Sequence, residues 1–165
     1  MFSFKCTRKL IKRLGASVAT HPPEATTRLG DWYGNVFFVR QHRLMLFVSD
    51  KALLPVFMPL RERDKLLPNF RSRLSTLLLQ LGVEEWIVVK ELAEMEEAVV
   101  AKTASPSVLG SMNDFAQSAK VYFKSYEGFS LLDLELWLAE TPCGPLDYRS
   151  PNQVAPELLA GGREL

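Results

Sequence analysis

Trp32-Tyr33-Gly34-Asn35-Val36-Phe37-Phe38-Val39, then Arg40-Gln41-His42-Arg43, then Leu44-Met45-Leu46-Phe47-Val48, is the stretch on which the fold turns. Two runs dominated by aromatic and β-branched or other apolar residues flank a short polar tip, the pattern of a β-hairpin. Downstream, Leu53 to Leu60 is apolar enough for a third strand. Pro55 has no N–H to give to a ladder, which sends that strand to a sheet edge or makes it irregular. Upstream, Phe2, Phe4 and Cys6 alternate with polar residues and predict a short half-buried strand.

Helices fill the intervals. Thr7 can cap a basic helix carrying Leu10, Ile11 and Leu14, with Gly15 as its stop. Residues 16–30 have no period and read as a loop. From Asn69 to Leu81, Phe70, Leu74, Leu77, Leu78 and Leu81 share one helical face, and Gly82 follows. Glu84 to Leu92 predicts a second helix in this region. Ala98-Val99-Val100-Ala101 is a continuous apolar run, expected as an interior strand. Ser105-Pro106 opens a helix reaching about Tyr122, and Ser130 with Asp133 forms a capping box for another through Trp137 to Glu140. Thr141-Pro142 ends it. A hairpin with grouped helices predicts an α+β fold: a mainly antiparallel sheet of four or five strands with helices packed on one face. Residues 1–150 form the expected single domain. Residues 151–165 lack a clear period and read as a partly disordered C-terminal tail.

Composition narrows the class. With 165 residues, 47% hydrophobic and 24% charged, the chain matches an ordinary globular domain. Cys6 and Cys143 are too few for a disulfide framework and lack metal-ligand spacing, which points to a reducing, cytoplasmic compartment and to no metal site. No apolar run approaches the roughly 20 residues of a membrane span, so no membrane partner is expected. The first nine residues are basic, as in transit peptides, but the Phe2/Phe4/Cys6 alternation favours a strand.

The net charge of +1 conceals an uneven distribution. Residues 1–75 hold 14 Lys+Arg against 5 Asp+Glu, while residues 76–165 hold 6 against 14. Such asymmetry marks a surface for nucleic acid or an acidic partner, or two halves that neutralise each other across the fold. Lys5, Arg8, Lys9, Lys12 and Arg13, with Arg40 and Arg43, are the candidates for a basic patch, though no RNP, helix-turn-helix or zinc signature accompanies them.

The segment from Lys102 to Phe115 holds the candidate site. On a helix, Val108, Met112, Phe115 and Ala119 face inward, while Ser107, Ser111, Asp114 and Ser118 line a polar stripe. Gly110 inside a helix costs about 1 kcal/mol against alanine, which a closely approaching backbone or ligand would explain. The ligand-binding set is Lys102, Thr103, Ser107, Ser111, Asn113 and Asp114. A helix start flanked by Lys102 and hydroxyls suits an anion; Asn113 and Asp114 suit proton handling; and small residues also permit a plain close packing. His42 reads as a solvated turn residue, His21 as a loop residue without a partner, and Cys6 and Trp32 as core. No P-loop, Rossmann glycine pattern, nucleophile elbow or HExxH occurs, so neither reaction nor cofactor can be assigned.

Cys6-Thr7 with Lys9-Leu10, Leu29-Gly30-Asp31-Trp32-Tyr33-Gly34-Asn35, Lys102-Thr103, Ser107 through Phe115, Thr141-Pro142 and Tyr148 together resemble a family of small bacterial proteins known only as a domain of unknown function. The resemblance implies a bacterial, cytosolic, stand-alone domain and supplies no reaction. In that family a basic residue often precedes the Ser-Val-Leu-Gly-Ser-Met-Asn-Asp string; here the position is Pro106, which removes support from a phosphate site. The leading expectation is a non-enzymatic binding or regulatory module for an anionic ligand, nucleic acid or protein. The alternatives are a small enzyme acting on a phosphorylated or nucleotide substrate through Lys102–Asp114, and an interaction protein whose helix from Phe70 to Leu81 meets a partner.

Overall fold

A computed structural model describes residues 1–161. The chain runs β1 (Phe2–Cys6), α1 (Arg8–Leu14), β2 (Trp32–Val39), β3 (His42–Ser49), β4 (Pro55–Pro59), a 3-10 turn (Leu60–Lys65), α2 (Leu66–Gln80), α3 (Glu85–Ala93), β5 (Ala98–Lys102), α4 (Pro106–Ser125), α5 (Leu131–Leu138), a second 3-10 turn (Gly144–Leu146) and α6 (Pro151–Leu159). The five strands form one sheet in the order β4-β3-β2-β1-β5.

The hairpin is the longest ladder, eight antiparallel pairs from Trp32↔Ser49 to Val39↔His42, and β4 extends it antiparallel. β1 departs from that pattern, pairing parallel with both β2 and β5. Strand alternation then sorts the side chains. Trp32, Met45, Phe47, Val56 and Met58 join Phe2, Phe4 and Cys6 in one apolar cluster with residues of α1, α2, α3 and α6. Tyr33, Phe37, Leu44, Leu46, Val48 and Phe57 join a second with α4 and α5. The expected α+β class, five-stranded sheet and helical layer on one face are all present, and α4 adds cover on the opposite face. Gly34 is small for a packing reason: a Cβ there would lie 2.5 Å from the Phe47 ring and 2.9 Å from Leu10, so glycine lets α1 settle on the sheet.

β4 is an edge strand, as Pro55 predicts, and Pro59 shares the property. Its outward Phe57 N–H is satisfied by the Oε2 of the Glu135 carboxyl on α5, at 2.6 Å, so α5 covers an edge that would otherwise be open to pairing. The other edge corrects an expectation. The Ala98–Ala101 run belongs to the outermost strand β5, not an interior one, and is covered by a bridge from Val18 and the Ala19 N–H to Val100 O at 2.8 Å.

A second correction concerns the end of the chain. Residues 151–159, read as tail, are α6, with Ser150 as its capping box and Pro151, Ala155 and Leu159 buried; residues 162–165 lie outside the described residues. A third concerns α2, whose Phe70, Leu74, Leu77 and Leu78 lie in the domain's own core and not on its surface. No helix among the described residues is long and apolar enough to cross a membrane.

Candidate functional site

Parallel pairing of β1 brings three separate stretches of sequence to one end of the sheet. Cys6 is opposite Gly34 on one side and Lys102 on the other, so Thr7, Asn35 and Thr103 follow from adjacent strand ends. α1 leaves this end toward one face and α4 toward the other. Thr7 Oγ1 donates to Asn35 Oδ1 at 2.7 Å and accepts from Leu10 N at 3.4 Å, capping α1. Tyr33 Oη accepts from Ser105 N at 3.1 Å, and Ser105 Oγ accepts from Val108 N at 3.3 Å.

Those bonds limit what the start of α4 can hold. Pro106 has no N–H, and those of Ser105 and Val108 are engaged, leaving Ser107 as the one N–H of the opening positions without an intramolecular acceptor among the described residues. Val108, Met112, Phe115 and Ala119 point inward as the periodicity predicts. Of the six candidate residues, Lys102, Ser107, Asn113 and Asp114 are exposed and Thr103 and Ser111 half-buried. None of their side chains makes a hydrogen bond or ion pair within the described residues. At Gly110 no other part of the described chain comes close: the space a Cβ would fill is empty to 4 Å.

The basic patch divides in two. Lys5 leaves it, because β1 alternation turns it to the face opposite α1, where its Nζ pairs with Asp31 Oδ2 at 3.2 Å. Burial pulls the Lys5 ammonium down, but hydrogen bonding and charge pairing with Asp31 outweigh this and hold it above the ordinary lysine value. Asp31 also accepts from Ser3 N at 2.8 Å, and Asp50 Oδ1 accepts from Asp31 N at 3.2 Å. Gly30, at φ +81°, has Asp50 Oδ1 only 1.9 Å from where a Cβ would be, so no other residue fits there. Desolvation, then the neighbouring Asp31 charge, push Asp50 up to about 6. This cluster knits strand ends together. Cys6 is likewise core, its thiol pushed to about 12 by burial.

Arg8, Lys9, Lys12 and Arg13 stay exposed on α1. Beside them, β2 alternation turns Phe38 to the same side as α1. The helix ends at Gly15, and Phe38 remains 42% exposed. The Arg13 guanidinium is 5.6 Å from the Phe38 ring centroid and that of Arg43, from β3, 6.0 Å. Lys9, Lys12, Arg13, Val36 and Phe38 line a groove of about 500 Å³. None of these cations pairs with an acid among the described residues. The three ion pairs among the described residues, Lys5–Asp31, Arg73–Glu62 and Arg149–Glu157, each join residues of the same half of the chain, so within the described residues the basic half is not neutralised by direct pairing with the acidic one. Sequence reading proposed the cations of this groove but not Phe38, whose exposure depends on where α1 stops.

Among the described residues no three His, Cys, Asp or Glu side chains stand close enough to hold a metal ion. No curated protein and no solved structure matches the chain. Residues 3–154 match the family model described as Domain of unknown function (DUF6933), which takes in the sheet, the basic groove and the Lys102–Asp114 segment, and the chain belongs to that family.

Proposed function

We propose that this protein is a non-enzymatic module that binds single-stranded nucleic acid along the groove between α1 and the β2-β3 hairpin. The observation that carries the reading is Phe38, an exposed aromatic ring with the Arg13 and Arg43 guanidiniums 5.6 and 6.0 Å from its centroid and Lys9 and Lys12 beside it. A base stacks on such a ring without regard to sequence, while the surrounding cations engage phosphates. The C-terminal turn of α1 adds support, since Lys12 and Arg13 sit where the helix dipole favours positive charge, so they are stable there without acidic partners. A binder is favoured over a small enzyme because no described side chain is hydrogen-bonded to Ser107 or Ser111 as a base would be. Lys102, Thr103, Ser107, Ser111, Asn113 and Asp114 are left in this reading as a solvent-facing surface for a second contact.

Fluorescence anisotropy with labelled oligo-dT and oligo-rU tests this. Log K falls against log salt with a slope of roughly −0.7 per phosphate engaged, or about −3 for four cations. Phe38→Ala weakens binding by about 1–3 kcal/mol. Absence of binding to either oligomer at low salt, or an unchanged affinity in Phe38→Ala, overturns the proposal.

A further inference from the structure

A second cavity, of about 390 Å³, opens on the other side of the hairpin tip, between the sheet and the end of α4. We propose that it binds a small planar aromatic molecule bearing one anionic group, independently of the nucleic-acid groove. Its size falls in the usual range for small-molecule sites. Leu44 and Pro59, opposite each other in the β3/β4 ladder, form the sheet wall. Phe123 and Phe129 provide an aromatic floor, their ring centroids 4.9 Å apart, and the His42 ring lies 5.1 Å from Phe123. His42, expected as a turn residue, is instead the first residue of β3 and part of the cavity wall. A planar ring meets aromatic surface here on more than one side.

Charge sets the second half of the specificity. Arg40 and Arg61 both line the cavity, neither is ion-paired among the described residues, and the one carboxylate in the lining is Glu127. Two guanidiniums against one carboxylate leave a site suited to a carboxylate or a phosphate, which arginine grips in bidentate fashion. Arg40 carries a further indication. It opens the two-residue turn between Val39 and His42 at φ +52°, in the left-handed region where a turn of this length ordinarily has glycine. A strained arginine at a cavity mouth is accounted for by what its side chain does there.

The same strain supplies a clean test, since Arg40→Gly places at φ +52° a residue that adopts this conformation without strain. Adenosine 5′-monophosphate and 1-naphthoate are titrated into the protein and followed by NMR, with uncharged 1-naphthalenemethanol as control. Saturable shifts at Leu44 and Phe123 with either anion are expected, weakened about tenfold or more by Arg40→Gly or Arg61→Gln. Binding of the nucleotide alone identifies a nucleotide ligand, and of naphthoate alone a free aryl acid. The proposal is overturned if neither anion saturates below about 1 mM, if shifts are confined to Val36 and Phe38, if the uncharged control binds as tightly, or if affinity is unchanged in both variants.

Discussion

Glu135 is the residue whose chemistry depends most on where the fold has put it. It is buried on α5 with its carboxyl against the Phe57 N–H, and desolvation pushes it up to about 8, although that hydrogen bond and the Arg73 charge both pull it down. A folded value above the ordinary 4.5 means the native state keeps a proton that the unfolded chain has already released. The resulting stabilisation is fully present below about pH 4.5 and is lost as pH rises through about 8. Glu135→Gln keeps the acceptor for Phe57 and removes the titration. Thermal melts of the variant should match the parent at pH 4 and exceed it at pH 9 by at least about 1 kcal/mol, or roughly 2–4 °C. Equal melting curves at pH 9 would refute this account. Glu91 belongs to the same scale with the opposite emphasis, because its two oxygens accept from Arg28 N at 2.8 Å and Leu29 N at 3.0 Å and so pin the loop entering β2. Glu91→Ala strands both donors in a largely buried place. Urea unfolding should show a loss of about 2–3 kcal/mol, which a mere surface role would not produce.

At the scale of elements, what could be read in advance followed local rules, and what could not depended on distant packing. β1, α1 with its Thr7 cap and αL Gly15, the hairpin, and α4 with Ser105 and Pro106 at its start are all dictated within a few residues of themselves. α6 was hidden by Pro151 and Pro156, which interrupt the apolar period. Yet Pro151 stands in the first turn where no N–H is needed, and the helix tolerates Pro156 because Ala155 and Leu159 anchor it to the core. β5 could not be placed because an apolar run looks the same whether a strand or a bridging loop covers it. The site divides similarly: the cations of α1 are visible in sequence, but Phe38 and Arg43 reach Arg13 only through the hairpin and the parallel β1. Truncation after Ser150 tests how far α6 belongs to the domain. Losing Leu159 alone forfeits a burial worth about 1.5–3 kcal/mol and uncovers the core it packs on, so the midpoint in urea should fall clearly. An unchanged midpoint would return α6 to the status of an appendage.

For the whole molecule, the charge distribution matters more than the net value of +1. No acid precedes Glu24, so the first strand and helix present five cations of which only Lys5 has a carboxylate partner among the described residues. The fold thereby separates two kinds of positive charge: Lys5 is spent on cohesion with Asp31 and Ser3, while Lys9, Lys12 and Arg13 stay free to act at a distance. Exposed like charges raise the local concentration of polyanions and lose that influence beyond about 8 Å at physiological salt. Two variants separate the roles. Lys12→Gln with Arg13→Gln should lower stability by no more than about 1–2 kcal/mol, since neither side chain has an ion pair among the described residues and only the helix dipole and the Phe38 ring favour their charge, and should abolish oligonucleotide binding at low salt. Lys5→Gln should do the reverse, lowering the melting temperature by leaving Asp31 without its cation while retaining the affinity and its salt slope. Anisotropy and thermal melts on the same preparations read both quantities. If Lys5→Gln alone abolished binding while the folded protein persisted, the functional charge would lie on the Asp31 face of the sheet rather than along α1.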